Sequence, residues 1–350
     1  MTHVFPGSNT PKGFYSFYKE GLKDMERVFV LKGGPGTGKS TLMRKIAHNM
    51  LERGYDVELW QCSSDNDSID GVIIPDLAIA VVDGTAPHVV DPVYPGAVDE
   101  IVNLGNHWNQ SLLREHKDEI KALTTEISQR FQTAYTYLNQ AKVAYDAWCE
   151  ITSTVTPEEN EALLAQILDT VFAAVKPKVR HFFASAITPN GWVGYDQELS
   201  SRCAIRYLLK CKQMEQIHLA LAKVAEVAIT QGHDADLYHS AMEPDFLEMV
   251  VLPHLSIALI DSNAVGLEPN YGDVLIDMDG EDEKNPETVR YFEQWQMLLS
   301  EAKNQIAAAK GLHNQLESYY IQAMNFEEID QVAKHVFAEI WSMAAEKEQQ

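Results

Sequence analysis

Sliding the 350-residue sequence against itself by 178 positions brings two halves into register. A chain that repeats a unit of this length folds as two similar lobes. "HVFPGSNTPKGFYSF" (3–17) lies over "HFFASAITPNGWVGY" (181–195), "RVFVLK" (27–32) over "IRYLLK" (205–210), and "RGYDVELW" (53–60) over "QGHDADLY" (231–238). "VIIPDLAIAVVD" (72–83) meets "VVLPHLSIALID" (250–261), and one dropped residue brings "DPVYPG" (91–96) onto "EPNYG" (268–272). So long and nearly gapless an agreement is a duplication.

Both copies predict the same elements. An alternating apolar strand, with Val28 and Val30 in the first copy and Tyr207 and Leu209 in the second, leads into a loop and then a helix. The first helix is expected over 39–53 with Gly54 as its stop, and Gly232 plays that part in the second copy. Further strands are expected at 57–62 and 235–240, then a loop, then strongly apolar strands at 77–82 and 255–260 that end in aspartate. Strands alternating with helices imply a doubly wound parallel sheet covered on both faces. Beyond it the spacing turns helical: Ile101, Leu104, Trp108 and Leu112, then Ile120, Leu123, Ile127, Phe131, Tyr135 and Leu138. Residues 286–345 repeat that pattern, which reads as a long helical hairpin. "TVTPEENE" (154–161) interrupts the first helical region, and "KPK" (176–178) marks the seam. The expected division is 1–178 (α/β 1–96, helical 97–178) and 179–350 (α/β 179–280, helical 281–350).

One motif stands out. "GGPGTGKS" from Gly33 to Ser40 matches G-x-x-x-x-G-K-[ST], with an apolar strand before it and a helix after it. Glycines permit positive φ and let the backbone approach a phosphate without a Cβ in the way. Successive N–H groups and the helix N-terminus then face the anion. The phosphate-binding candidates are therefore Gly33, Gly34, Pro35, Gly36, Thr37, Gly38, Lys39, Ser40 and Thr41. Lys39 is expected on the β- and γ-phosphates and the Ser40 hydroxyl on Mg²⁺. "LAIAVVDG" supplies Asp83 at a strand end for the same ion, so Lys39 and Asp83 are the catalytic candidates and Ser40 and Asp83 the metal candidates. With this motif the expected fold class is α/β, a tandem pair of P-loop NTPase-like sheets, each followed by a helical hairpin.

The second copy acts as an internal control. Opposite "GGPGTGKST" it reads "CKQMEQIHL" (211–219), with Ile217 in place of Lys39 and His218 in place of Ser40. What survives there is expected to be scaffold: Thr10-Pro11-x-Gly13 with Thr188-Pro189-x-Gly191, Pro75 with Pro253, Ala86 with Ala264. Asp261 survives opposite Asp83, so a strand-end turn is a second use for that aspartate. What only the first copy carries is expected to serve the nucleotide: Lys12, Ser63, Ser64, Asp70, Thr85 and His88. Such loops follow the carboxyl ends of strands, where ligands bind in open α/β sheets.

Composition narrows the partners. A net charge of −23 with no long Lys/Arg run disfavours nucleic acid. Four cysteines without metal-ligand spacing fit a reducing compartment. The N-terminus carries no secretory pattern and no apolar run is long enough to span a bilayer, so a cytoplasmic protein with no membrane partner is expected. "DNDSIDG" (65–71) and "DMDGEDE" (277–283) miss calcium-loop spacing and read as solvated acidic loops. The absence of an N-K-x-D or T-K-x-D motif favours ATP over GTP.

"HVFPGSNTPKGFYSFY", "FVLKGGPGTGKSTLM", "CSSDNDSIDGVIIP" and "DGTAPHVVDPVYPGAVDEI" together resemble a family of duplicated bacterial P-loop ATP-binding proteins, known mainly from Firmicutes. The resemblance runs over essentially the whole chain. It implies the fold and the nucleotide class, with ATP and Mg²⁺ as cofactors, and little about biological role. Many members of that family look as if they keep the loop in both halves, and this chain departs from them at Cys211–Leu219. Three functions fit the residues. The first is an ATPase, although Gly84 follows Asp83 where many hydrolysing relatives place a glutamate, which leaves Asp65, Asp67, Asp70 or His88 to orient water. The second is a small-molecule or nucleotide kinase with Arg114 or Arg130 as a lid clamp. The third is a non-catalytic ATP sensor. Arg202, Arg206, Lys210 and Lys212 lie near the vanished second loop, where they could complete the first site.

Overall fold

The computed structural model describes residues 1–86, 89–152, 177–278 and 286–348. His88, the 154–161 stretch and Lys176 lie outside the described residues. The first half runs β1 (Thr2–Val4), β2 (Gly7–Thr10), β3 (Gly13–Ser16), α1 (Tyr18–Leu22), β4 (Arg27–Lys32), α2 (Lys39–Glu52), β5 (Glu58–Gln61), β6 (Ile69–Ile74), β7 (Ile79–Asp83), β8 (Asp99–Asn103), α3 (Gln110–Glu115) and α4 (Lys117–Thr152). The second half runs β9 (Val179–Phe183), β10 (Ser185–Thr188), β11 (Gly191–Gly194), α5 (Asp196–Ser200), β12 (Ile205–Lys210), α6 (Met214–Thr230), β13 (Ala235–His239), β14 (Leu247–Leu252), β15 (Ile257–Asp261), β16 (Val274–Asp277), α7 (Pro286–Ala323) and α8 (Phe326–Glu348).

Each half holds a six-stranded sheet, in the order β1-β5-β6-β7-β4-β8 and, read from the matching edge, β9-β13-β14-β15-β12-β16. The duplication read from the sequence is thus a duplication of topology. The expectation of a wholly parallel sheet is corrected. β6 runs antiparallel to β5 and β7, and β14 does the same between β13 and β15. Both reversed strands fall in segments expected to be loops, and all of their residues are buried. A strand buried on both faces shows no alternation, and its direction leaves no trace in the pattern. A second correction concerns 99–103, expected to be helical through Ile101. It is the edge strand β8, parallel to β4, and Ile101 is exposed.

Contacts divide the chain into two compact units, one of 1–4, 18–132 and 305–350, the other of 5–17 and 133–304. In the first unit, α2 turns Leu42, Met43, Ile46, Ala47 and Met50 onto the sheet, a helical period that buries one face. Burying each large side chain of that face contributes about 1.5–3 kcal/mol. The same core takes Ile329, Ala333, Val336 and Ile340 from α8, so the last helix of the chain finishes the core of the first sheet. The seam near 178 therefore separates the repeats and their sheets, while each compact unit takes segments from both repeats. In the second unit, α6 buries Ile217, Leu221, Val224 and Ala228 among Leu237, Val250 and Leu259.

The scaffold pairs behave alike. The Thr10 hydroxyl donates to Gly13 O (2.7 Å) and that of Thr188 to Gly191 O (2.8 Å). Pro75 and Pro253 each open a short 3-10 turn ending in a left-handed residue, Ala78 (φ 53°) and Ser256 (φ 55°). Gly54 and Gly232 end their helices at φ 86° and 88°, as expected of helix stops. No helix among the described residues is long and apolar enough to cross a membrane.

Candidate phosphate-binding site

β4 delivers the chain to Gly33, and α2 starts at Lys39. Between them Gly36 (φ 69°) and Gly38 (φ 92°) hold left-handed conformations that only glycine adopts without strain. Close packing excludes side chains at two other loop positions. A Cβ on Gly33 would lie 2.7 Å from the Thr37 hydroxyl, and one on Gly34 would lie 2.4 Å from the Tyr320 ring. The Thr37 hydroxyl donates to Gly34 O (2.8 Å) and fixes the turn.

Lys39 is 9% exposed. Its ammonium donates to Gly33 O (3.1 Å) and Gly34 O (2.7 Å) and stands 3.5 Å from Asp83 Oδ2. Asp83 divides its work. Oδ1 accepts the Thr85 N–H (2.8 Å) and the Thr85 hydroxyl, while Oδ2 faces Lys39. Asp261 keeps only the first of these uses, with Oδ1 accepting the Asn263 N–H (2.8 Å) and side-chain amide (3.2 Å). Burial pushes its carboxyl up to about 6. Ser40 Oγ accepts the Ile69 N–H (3.2 Å), and at the matching place His218 Nδ1 accepts the Leu247 N–H (3.0 Å). The hydroxyl has a structural bond that an imidazole can inherit.

A cavity of about 710 Å³ opens over this loop, lined by residues 33–41 together with Ser64, Asp65, Asp70, Asp83 and Thr85. Asp70 is buried and accepts the Tyr18 hydroxyl (2.9 Å). The Ser64 hydroxyl is buried, lines the cavity and meets no hydrogen-bond partner among the described residues. Cys62 also lines it, but burial and then the Asp70 charge push its thiol well above the usual range, which leaves it a poor nucleophile. Gly84 fills its own position. A Cβ there would lie 2.4 Å from Val30 Cγ1, so no glutamate can follow Asp83.

Several expected residues are not brought in. Lys12 pairs with Glu243 and Asp245 in the second unit, and Ser63 is buried outside the cavity lining. Asp67 is exposed and outside the lining, and Arg114 and Arg130 bond Gln110 and Glu126 on their own helices. Two of the four basic residues of the second copy are held by local pairs, Arg206 with Asp273 (2.8 Å) and Lys210 with Asp277 (2.7 Å). In the second copy α6 begins at Met214, a turn before Ile217, so the positions opposite Gly36–Gly38 are wound into helix.

The sequence did not reveal the far wall. Thr124, Ile127 and Phe131 of α4 line it, as do Lys310, His313, Glu317 and Tyr320 of α7. Tyr320 covers Gly34, and Glu317 and Ile321 cover Gly36. The available signal was the 310, 313, 317, 320 spacing, a helical face that mixes charge with an aromatic ring. Burial holds His313 below the usual imidazole range. Comparison of the chain with known protein families, with curated proteins and with solved structures gave no match.

Proposed function

We propose that the chain is a P-loop ATP-binding protein that hydrolyses Mg·ATP at a single site in its first half, with a second copy that has lost its loop. The observation that carries this reading is the convergence of Lys39, Ser40 and Asp83 on one cavity floored by a glycine loop and a helix N-terminus. That arrangement fits a phosphate chain. The loop N–H groups and the start of α2 favour anions. Lys39 now satisfies itself on Gly33 O and Gly34 O, oxygens that phosphate oxygens can replace. The lone Ser64 hydroxyl offers one more donor.

Ser40 and Asp83 are the residues that would hold Mg²⁺, which supplies neutralisation of charge on the β- and γ-phosphate oxygens. Lys39 and the loop backbone orient the phosphates, and the α4 and α7 wall limits access of bulk water. With a glutamate excluded at Gly84, Asp65, Asp70 and Glu317 are the cavity carboxylates left to orient an attacking water. The resemblance to duplicated P-loop ATP-binding proteins supports the same reading, and four free thiols agree with a reducing, cytoplasmic setting. A kinase is the second reading, favoured by the apolar part of the wall, Ile127, Phe131 and Leu316, against which an acceptor molecule could pack.

Phosphate release from Mg·ATP by the full chain, with no acceptor, tests the proposal. Turnover is expected, and Lys39→Ala is expected to abolish it and to weaken Mg·ATP binding while circular dichroism stays unchanged. ADP formation only in the presence of an acceptor would favour the kinase. Unchanged ATP affinity in Lys39→Ala would overturn the site.

A further inference from the structure

The cavity carries two lysines, each neutralised by one carboxylate. On the floor Lys39 faces Asp83. On the far wall the Lys310 ammonium binds Asp65 Oδ2, while Asp65 Oδ1 accepts the Asp67 N–H (3.1 Å) and closes its own loop. Lys310 and Asp65 are 21% and 18% exposed, so their charges are partly withdrawn from water. His313 lies one turn on from Lys310 along the same face of α7. Burial holds its imidazole below the usual range against the opposing Glu317 charge, and the Lys310 charge acts in the same direction as burial. Lys310 is thus the cation that the wall contributes opposite the loop.

Charge bookkeeping gives this lysine a task. Even with Mg²⁺ bound, a triphosphate keeps a net charge of about −2, more than one loop lysine and the roughly half charge of a helix N-terminus offset, and the surplus sits on its terminal group. Glu317, Asp65, Asp70 and Asp83 also face the cavity, so a ligand with that much charge needs a further cation. We infer that Lys310 exchanges Asp65 for the terminal phosphate of a bound nucleoside triphosphate, so that the Lys310–Asp65 pair reads triphosphate against diphosphate. This inference rests on the nucleotide reading of the 33–41 loop. In the diphosphate state Lys310 stays on Asp65. In the triphosphate state α7 is tied to the ligand and the Asp65 carboxylate is released into the cavity.

The test measures binding, not turnover. Calorimetric titration of the full chain with a non-hydrolysable Mg·ATP analogue and with Mg·ADP is done on wild type, Lys310→Met, Lys310→Arg and Asp65→Asn. Losing a charge-assisted contact weakens the analogue roughly 10- to 100-fold in Lys310→Met, with Mg·ADP little changed. Lys310→Arg, which keeps the charge, retains most of the analogue's affinity. Asp65→Asn frees Lys310 and tightens the analogue relative to Mg·ADP, a change of opposite sign that misfolding cannot imitate. Equal losses for both nucleotides in Lys310→Met, or no tightening in Asp65→Asn, overturn the role of Lys310 and leave the loop assignment standing. No binding of either nucleotide to wild type overturns both.

Discussion

Asp196 is the side chain whose replacement has the most calculable effect. It opens α5 in the second unit, is 0% exposed, and neither carboxylate oxygen meets a hydrogen-bond partner among the described residues. Burial, with the nearby Asp261 charge adding to it, pushes its carboxyl from 3.8 up to about 7. Glu248, which accepts the Ser185 hydroxyl (2.8 Å), is driven upward by burial and then by Asp196. Tyr145 faces Asp261 and is itself pushed up by burial. The sign follows from proton binding. Between its unfolded and folded values the native Asp196 keeps its proton while the unfolded chain has lost it, so stability falls as pH rises through that window and is level above it. A shift of this size amounts to ~4 kcal/mol, of which about 3 kcal/mol falls between about pH 5 and about pH 8. Asp196→Asn removes that slope. Its amide adds a pH-independent cost of about 1–3 kcal/mol for an unpaired buried group. The variant is therefore expected to be equal to wild type or less stable by up to about 2 kcal/mol near pH 5, and more stable than it by about 1–3 kcal/mol near pH 8. Hydrogen exchange of the buried β14 amides as a function of urea reports the free energy of this unit at both pH values. The imidazole of His239 titrates alike in both proteins and cancels in the difference, whereas Glu248 and Asp261 lose the repulsion of the Asp196 charge in the variant, which adds to its relative gain near pH 8. A stability difference between variant and wild type that is the same at both pH values would refute the reasoning.

Two further outcomes are expected. Gly34→Ala places a Cβ 2.4 Å from the Tyr320 ring, and overpacking of this kind costs about 1–3 kcal/mol. Adding Tyr320→Ala should recover much of that loss, read as a positive coupling in a double-mutant cycle of thermal stability. Ile217→Lys combined with His218→Ser restores the two motif residues of the second copy, yet a titration should still find one nucleotide per chain. The helix that begins at Met214 occupies the positions opposite Gly36–Gly38, and a lysine in the buried Ile217 position destabilises the second unit.

Much of the first sheet was legible because its signals are local. The run Val28–Leu31, the glycines at 36 and 38, the amphipathic face of α2 and the stop at Gly54 each sit within a few residues of the structure they specify. The comparison of copies went further. It separated Thr10 and Thr188, whose turns proved identical, from Ser64 and Asp70, which line the cavity. It misplaced Lys12, because a lysine missing from the second copy can serve an ion pair as well as a phosphate. Asp83 was the ambiguous residue, and its two oxygens explain why: one makes the turn that Asp261 shares, the other meets the lysine that the second copy lacks.

By itself the sequence determined the duplication, the glycine loop with Lys39 and Ser40 at its end, and the loss of that loop at Cys211–Leu219. Tertiary structure alone decided that β6 and β14 run against their neighbours, that α8 closes the core of the first sheet, and that α7 sets Lys310 and Tyr320 over the loop. The physical reason is common to all three. The period of apolar residues states which face of an element is withdrawn from water, but neither the direction of a fully buried strand nor the surface that a helical face meets is written in its own residues.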